Sequence, residues 1–438
     1  GANTDGPGNV AVGASSLATN TTGDNNVGIG LFALNKSTTA NDNVAIGYKA
    51  LCANTTGTQN VALGPYALDA NTTAIQNVAI GFDSLSISTT GAQNVAVGFE
   101  SARNTTSAND NTSVGWCSLR HTSTGASNTA IGSGALKTNT TGAQNTSVGL
   151  NSMNKNTEGA SNVGVGVLAL SCNTTADYNT AVGEKALWKN TTGANQTAIG
   201  YQALTTATTG GKNVAVGVDA LKANTSGAEN VAMGYRALDS NTTGIENVAI
   251  GMCAVQTATD ENRNTGVGYK ALFVATGGEN TALGNDAGLN VAAGANNTLI
   301  GHSAGTDAVI NIEAQSHHIV LGNNNSTNAL IKIDWTVTSD ERDKMDFGEV
   351  PHGLDFVNQL KPVSFIFKKS REDATPHGDK KYGFKAQDVL ALEGDNPIII
   401  NNKNDENLKI TNSHMTPVLV KAIQELTKRI EELEKENN

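Results

Sequence analysis

The chain has few aromatic side chains and few basic ones. Phe, Trp and Tyr make up 4% of its 438 residues, and 29 basic side chains stand against 40 acidic ones, which gives a formal net charge of −11 at pH 7. Such a chain has neither the basic surface nor the stacking platforms of nucleic-acid-binding proteins. No segment approaches the ~18 consecutive apolar residues of a membrane-spanning helix, so we expect no membrane insertion. Residues 1–6 have no basic start and no apolar stretch, and we do not expect them to be a signal peptide.

Charge is distributed unevenly along the chain. Residues 1–338 contain 14 basic and 21 acidic residues, whereas the last 100 residues contain 15 and 19. This break predicts two regions of different kinds that meet near residue 338.

Glycine is abundant, with 47 residues, because it marks an internal repeat. A run such as Asn43-Val44-Ala45-Ile46-Gly47 recurs every 17 residues. Gly284 and Gly301 continue the pattern at spacings of 16 and 17 before it decays. The sixteen glycines that precede them follow one another without a slip: Gly13, Gly30, Gly47, Gly64, Gly81, Gly98, Gly115, Gly132, Gly149, Gly166, Gly183, Gly200, Gly217, Gly234, Gly251 and Gly268.

Each repeat has the composition of one coil of a β-solenoid. Alternate residues of Val44–Gly47 point to opposite sides of a strand, which separates a Val/Ile face from an Ala/Gly face. Residues 54–57, Asn-Thr-Thr-Gly, have turn chemistry, and nothing recurs at helical spacing. We expect two short strands and two turns per coil, with apolar residues stacked over their copies and Asn and Thr in hydrogen-bonded ladders. About eighteen coils at ~4.8 Å each would form a rod on the order of 85 Å long.

The predicted fold is therefore mainly β, with a solenoid rod over residues 1–305 and a β connector over residues 306–338. Residues 318–322 and 329–335 are the expected connector strands. The alternative is an extended fibre of three wound chains, at ~3.3 Å per residue. Because the narrow Ala/Gly face would let three solenoids approach closely, we predict a homotrimer. The repeat resembles the β-roll heads of trimeric adhesins and the repeats of phage tail fibres, although the adhesin coils are shorter.

The rod offers no nucleophile–base pair, phosphate loop or paired carboxylates. His317 and His318 could serve a metal on a three-fold axis, but adjacent strand residues face opposite sides, and we expect no metal and no cofactor. We expect free thiols, packed as small apolar side chains, at Cys52, Cys117, Cys172 and Cys253. The two at equivalent repeat positions, Cys117 and Cys253, are eight coils or roughly 38 Å apart, too far for a disulfide.

The last hundred residues contain four motifs in a characteristic order. They are Thr338-Ser339-Asp340-Glu341-Arg342-Asp343-Lys344, residues 360–368, residues 382–389 and residues 415–426. In this order and spacing they resemble the intramolecular chaperone auto-processing domain, also called the peptidase S74 domain. That domain is known at the C-termini of phage tail fibres, tailspikes and endosialidases. The resemblance covers about residues 336–438, and it predicts a small α/β chaperone domain over residues 339–438.

The resemblance implies a trimeric chaperone that directs folding of the fibre before it and then cleaves itself. Carried over to this sequence, the scissile bond is Thr338–Ser339, the nucleophile is Ser339 and the general base is Lys344. A serine hydroxyl needs a base, and a neutral lysine amine can serve if burial depresses its pKa. The five-residue spacing does not place the pair on one helix face, so a turn or a neighbouring subunit must bring them together.

The charges around this pair oppose the assignment. Asp340, Glu341 and Asp343 would hold Lys344 protonated unless Arg342 or a backbone turn offsets them.

The chain ends in a predicted helix over residues 416–436. Thr416 is the expected N-cap and Pro417 the first helical residue. A coiled-coil seam follows at spacings of 4, 3, 4 and 3, formed by Leu419, Ile423, Leu426, Ile430 and Leu433. Ile at a with Leu at d favours two strands, which conflicts with the predicted trimer.

These features favour a structural virion tail fibre, extracellular when mature. Its partners would be other virion tail components and a host-cell-surface glycan or protein, and its activity at most single-turnover autoproteolysis by a Ser-Lys dyad. The alternative is a bacterial trimeric surface adhesin with a retained trimerisation domain. Such an adhesin is expected to end in membrane strands of alternating pattern, whereas this sequence ends in a charged coiled coil. An enzyme acting on surface polysaccharide is disfavoured because the rod lacks clustered acids.

Overall fold

The computed structural model of the chain describes residues 5–306, 311–327, 329, 330, 332, 337–369, 371–402, 405, 406 and 408–437. These residues form two compact units. The first runs to Thr306 and includes Asn311–Gly322, and the second contains the chain from Asn323 onward.

The first unit is a β-solenoid, which confirms the predicted fold class. Nineteen three-residue strands pair in parallel, each with the strand of the next coil. Paired residues are 17 positions apart in most of the ladder, as in Val44 and Val61. The spacing is 16 between Thr265 and Thr281 and 21 between Thr298 and Ile319. The strands are β1 (Val10–Val12), β2 (Val27–Ile29), β3 (Val44–Ile46), β4 (Val61–Leu63), β5 (Val78–Ile80), β6 (Val95–Val97), β7 (Thr112–Val114), β8 (Thr129–Ile131), β9 (Thr146–Val148), β10 (Val163–Val165), β11 (Thr180–Val182), β12 (Thr197–Ile199), β13 (Val214–Val216), β14 (Val231–Met233), β15 (Val248–Ile250), β16 (Thr265–Val267), β17 (Thr281–Leu283), β18 (Thr298–Ile300) and β19 (Ile319–Leu321).

The ladder continues into the segment predicted as a connector. Strand β19, the first expected connector strand, pairs with β18 in the same parallel sheet. The second expected connector strand, residues 329–335, lies largely outside the described residues.

The inside of each coil is filled by one small strand residue and one large residue from the following turn. The central residue of β2–β17 is Ala, Gly or Ser and is buried, as at Ala45. Four residues after the repeat glycine stands a large apolar side chain such as Leu51, which has no exposed surface. The prediction that the Ala/Gly face lies open to other chains is therefore wrong. That face points inward, because the space beside the leucine admits only a small residue, and Val and Ile face outward.

Each coil contains one strand rather than the two predicted. After Gly47 the backbone adopts positive φ at Lys49 (57°) and Leu51 (51°), and again at Gln59 (61°) before the next strand. These left-handed residues curl the rest of the coil into successive turns. The conformation costs a leucine about 1–2 kcal/mol, and burying its side chain, worth about 1.5–3 kcal/mol, offsets that cost.

The repeat glycine allows neighbouring coils to stack. Gly64 has φ +137°, and a Cβ at this position would lie 2.6 Å from the carbonyl oxygen of Gly81 in the next coil. Any other residue would suffer both the backbone strain and the clash, so every coil requires glycine here.

Ladders of Asn and Thr join the coils, as predicted. The buried Asn60, which precedes β4, accepts at Oδ1 from the backbone N–H of Asn77 (3.0 Å). Its Nδ2 donates to Asn43 Oδ1 (3.1 Å) and to the carbonyl of Ala74 (2.9 Å). Threonine hydroxyls of the turns donate to threonine carbonyls one coil further on. Amides recur at these positions because they satisfy the buried polar groups of two coils at once.

The second unit is a small α/β region that ends in a long helix, again as predicted. A core of side chains from its helices and one strand includes Phe356, Val389, Ile400 and Val418. Strand β20 pairs antiparallel with β21, and β22 with β23. The elements are a one-turn 3-10 helix (Glu341–Asp343), α1 (Leu354–Gln359), β20 (Val363–Lys368), β21 (Pro376–Gly383), α2 (Ala386–Glu393), β22 (Ile400–Asn401), β23 (Lys409–Ile410) and α3 (Asn412–Glu436).

Helix α3 begins at Asn412, five residues before the predicted first helical residue, Pro417. Its N-cap is Thr411 rather than Thr416, and Pro417 lies inside the helix. Met415 and Val418 are buried in the core of this unit, so tertiary packing holds the turn that precedes the proline. The five seam residues, Leu419, Ile423, Leu426, Ile430 and Leu433, all lie on α3 and are between 42% and 63% exposed.

Candidate active site

The predicted dyad meets within one chain, at the start of the second unit. Asp340 caps the 3-10 helix by accepting at Oδ1 from the backbone N–H of Arg342 (2.9 Å). Lys344 ends the same turn, and its backbone N–H donates to the carbonyl of Glu341. The turn folds the lysine back, so that Lys344 Nζ donates to Ser339 Oγ at 2.6 Å and to the Ser339 carbonyl at 3.2 Å. A turn of the chain itself thus provides the proximity that the five-residue spacing required.

Arg342 offsets one of the three acids around the dyad. Its Nε and Nη2 form a two-pronged ion pair with Asp340, at 3.0 Å to Oδ1 and 2.6 Å to Oδ2. Hydrogen bonds from the Arg342 side chain and backbone hold the pKa of Asp340 below its usual value. The carboxylate of Asp340 is therefore committed to the turn and to Arg342 rather than to Lys344.

The dyad is open to solvent in the single chain. Thr338, Ser339 and Lys344 are all exposed. Burial favours the neutral amine over the ammonium form, and a lysine needs its neutral form to accept a proton from serine. The geometry of the pair is thus present, whereas the desolvation that would activate it is not supplied by the described residues of one chain.

The other residues singled out in the sequence form no reactive cluster. All four cysteines are free thiols, as predicted, and burial is the main factor that raises the pKa of Cys117. His317 has φ 62°, and His318 Nδ1 lies 2.7 Å from the carbonyl of Ser316. Within the part of the chain that the structure describes, no three His, Cys, Asp or Glu side chains are grouped as metal ligands, and no helix is long and apolar enough to cross a membrane.

One groove on the solenoid was missed by the sequence reasoning. It has a volume of about 410 Å³ and is lined by residues of three neighbouring coils, among them Tyr66, Asp69, Phe82, Asp83 and Arg103. The rings of Tyr66 and Phe82 are 5.9 Å apart, and Arg103 pairs with Asp83 at 3.3 Å. Burial, with Asp83 nearby, raises the pKa of Asp69 to about 6. Six consecutive coils carry an aromatic residue one or two positions after the repeat glycine, and this signal was available in the sequence: Phe32, Tyr48, Tyr66, Phe82, Phe99 and Trp116.

Part of the second unit matches a known protein family. Residues 339–395 match the Peptidase_S74 family model, described as chaperone of endosialidase. Comparison with curated proteins finds no matching relative. The match begins at Ser339, the residue that Lys344 contacts. The chain thus consists of a β-solenoid of about 17-residue turns followed by a C-terminal Peptidase S74 chaperone of endosialidase domain.

Proposed function

We propose that this chain is a homotrimeric virion tail fibre whose C-terminal domain is an intramolecular chaperone that cleaves itself from the fibre. The solenoid would be the part that meets the host-cell surface. The S74 domain supports this assignment, since such domains are typical of phage tail fibres and endosialidases and act in trimeric proteins. The single observation that carries the self-cleavage is the 2.6 Å contact between Lys344 Nζ and Ser339 Oγ.

The proposed reaction cuts the bond between Thr338 and Ser339. With Lys344 neutral, its amine takes the Ser339 hydroxyl proton as Oγ attacks the carbonyl carbon of Thr338. The C–N bond breaks, the proton passes to the departing nitrogen, and an ester joins Thr338 to Ser339 Oγ. Water then hydrolyses this ester. The products are a solenoid fragment ending in the Thr338 carboxylate and a chaperone fragment beginning with the free amine of Ser339.

Exposure of the dyad explains why cleavage would wait for assembly. A lysine must be neutral to accept the serine proton, and packing against further chains would remove solvent from Lys344, which favours the neutral amine. The apolar seam of α3 is available for that packing, since its five residues are at least 42% exposed in the single chain. We therefore expect cleavage to follow trimer formation rather than precede it.

The test is a denaturing gel with intact-mass analysis of freshly expressed full-length protein. We expect wild type to divide into residues 1–338 and 339–438, and Ser339→Ala and Lys344→Ala to stay whole. Lys344→Arg keeps a cation beside Ser339 but cannot give up its proton, so it should also stay whole. Lys361→Ala, an exposed lysine outside the dyad, is the matched control and should cleave normally. A wild type that forms trimers but remains full length would contradict self-cleavage and favour a retained trimerisation domain, as in an adhesin.

For host recognition we propose that the groove at Tyr66, Asp69, Phe82, Asp83 and Arg103 binds a saccharide. Aromatic rings offer an apolar platform for a sugar face, and the neighbouring carboxylates and guanidinium can bond its hydroxyls. Phe82 is 41% exposed at the edge of this groove.

Binding to a panel of immobilised cell-surface glycans tests this groove. Phe82→Ala should lose binding, whereas Tyr235→Ala, an equally placed aromatic residue several coils away and 48% exposed, should keep it. Equal binding by both variants would place the receptor contact elsewhere.

A further inference from the structure

The outward side of the solenoid sheet is largely apolar, and threonine is its only polar residue type. The first and third residues of each strand point away from the coil interior, and we call these residues of β1–β19 the strand face. Every third residue is Val, Ile, Leu or Met, and every first residue is Val, Ile or Thr. Many third residues are substantially exposed, as with Ile131 (41%), Met233 (42%) and Leu283 (49%). A sheet face in water is normally polar, so this one is unusual in a single chain.

The strand face contains no charged residue within β1–β19, although the solenoid does place charges close by. Two residues before the strands, an exposed ladder includes Lys212, Glu229, Glu246 and Arg263, with ion pairs at 2.8 Å between the first two and between the last two. The absence of charge is therefore specific to the strand face and does not reflect the composition of the solenoid.

We propose that the strand face is the contact surface between copies of this chain, so that solenoids pack strand face to strand face in register about a common axis. The inference rests on the homotrimer proposed above and names the surface that forms it along the solenoid. It replaces the Ala/Gly face, which is buried inside each coil.

The repeat itself favours a second copy as the occupant. Outward residues recur at the spacing between hydrogen-bonded strands, ~4.8 Å, over nineteen strands. A partner that fills this surface must present side chains at the same spacing over the same length. Another copy of this chain meets that condition at every coil, because stacked coils repeat identically.

The available area is sufficient for a stable interface. Fully burying a branched side chain removes roughly 120 Å² from water, so 40% exposure leaves on the order of 50 Å². Eleven of the nineteen third residues are at least 36% exposed, and together they offer on the order of 550 Å² per chain. The other eight and most first residues are partly exposed, and they bring the strand face close to the ~800 Å² per partner of a standard interface. Apolar patches on monomers are usually ~300–600 Å².

Site-directed cross-linking in the full-length protein tests the proposal. Ile131→Cys places a thiol on the strand face, and Thr141→Cys places one on an exposed turn of the same coil as the matched control. With a short bis-maleimide linker, we expect on the order of tenfold more cross-linked chains for Ile131→Cys, because assembly raises the local concentration of facing thiols. Wild type measures the background of the four native thiols.

Paired glutamate substitutions provide a second test of the proposal. Ile131→Glu with Val148→Glu puts four or more like charges into the proposed interface, whereas Thr124→Glu with Thr141→Glu adds the same charge to exposed turns. We expect the first pair to lower the thermal midpoint of the assembly and to expose the solenoid to protease, with the second close to wild type.

The outcomes separate the two proposals. A wild type that is monomeric by light scattering would overturn the trimer and this inference together. A trimer that cross-links through Thr141→Cys but not Ile131→Cys, or that tolerates glutamates on the strand face, would overturn this inference and leave the trimer standing.

Discussion

Replacing Asn145 with alanine should destabilise the solenoid strongly, although no apolar contact of size is lost. Asn145 is 1% exposed and stands just before β9. Its Nδ2 donates to Asn128 Oδ1 (3.1 Å) and to the carbonyl of Gly159 (2.8 Å). Its Oδ1 accepts from the backbone N–H of Asn162 (3.0 Å) and from Asn162 Nδ2 (3.2 Å). The side chain therefore links three successive coils.

The size of the effect depends on which of these groups keep another partner. Asn128 Oδ1 still accepts from the Asn145 backbone (3.0 Å), the Gly159 carbonyl from Asn156 (2.9 Å), and Asn162 Nδ2 still donates to Ala176 (2.8 Å). The buried N–H of Asn162 alone loses its acceptor. An unsatisfied buried group costs about 1–3 kcal/mol and each lost bond about 0.5–1.5 kcal/mol net. We expect a total of about 2–4 kcal/mol.

Guanidinium unfolding followed by circular dichroism measures this cost. Repeat proteins can unfold in segments, so hydrogen exchange of peptides covering residues 129–165 should accompany it and locate the weakened coils. Thr141→Ala, on the exposed turn that precedes Asn145, is the control and should stay within about 0.5 kcal/mol of wild type. If Asn145→Ala shifts the midpoint no further than Thr141→Ala, the amide ladder does not hold the coils together and the reasoning is wrong.

Three further predictions concern single substitutions. Gln196→Asn should stabilise the solenoid by about 0.5–1 kcal/mol in the same unfolding assay. Gln196 Nε2 donates to Asn190 Oδ1 (2.9 Å) instead of to the amide ladder, which an asparagine side chain fits. An unchanged midpoint would mean that glutamine already fits the ladder. Asp69→Asn should stabilise the protein at pH 7 and little at pH 4. The pKa of Asp69 is raised from 3.8 to about 6, so the folded state binds an extra proton between these pH values and loses stability as the pH rises through them. After allowance for solvent exposure, we expect the substitution to stabilise the protein at pH 7 by no more than about 1 kcal/mol. An equal effect at both pH values would exclude titration of Asp69 as the cause. Glu393→Gln should lower the stability of the second unit by about 1–3 kcal/mol, measured by thermal unfolding. The reason is that one carboxylate accepts from the backbone N–H groups of Ile398, Ile399 and Ile400 (2.7–2.9 Å). Glu432→Gln, at an exposed position of α3, is the comparison, and an equal loss in both variants would deny Glu393 a special role.

The coil register could be predicted from the sequence because one residue per coil has no substitute. The repeat glycine carries both a positive φ and a close approach to the next coil, and the amide ladders need Asn for equally local reasons. The dyad at Ser339 and Lys344 was predictable as a pair through the family resemblance alone. The 3-10 turn that brings Ser339 and Lys344 together depends on the Asp340 cap and its hydrogen bond from Arg342. These residues lie outside the repeat, so no periodic pattern in the sequence predicts the turn.

The predictions that were wrong concern features that depend on packing, which the sequence of a single repeat does not reveal. A leucine with φ near +50° is unexpected from propensity, since only glycine visits this region freely, so the turns around Leu51 could not be foreseen and two strands per coil were expected. The predicted start of α3 was wrong for a similar reason. A proline at position 417 favours a helix start, but burial of Met415 extends the helix past it.

The prediction assigned the wrong face of the strand to the outside of the coil, and the reason for this error bears on function. Alternation in Val44-Ala45-Ile46 shows that the faces differ but does not say which one is inside, and larger residues are usually expected inward. Here the turn supplies the core through Leu51, so the strand can contribute only Ala45, and its branched residues are left outside. A coil this small completes its burial only by adding neighbours. Stacking along the chain buries the edges of each coil and leaves the strand face, the surface that we propose for association between chains.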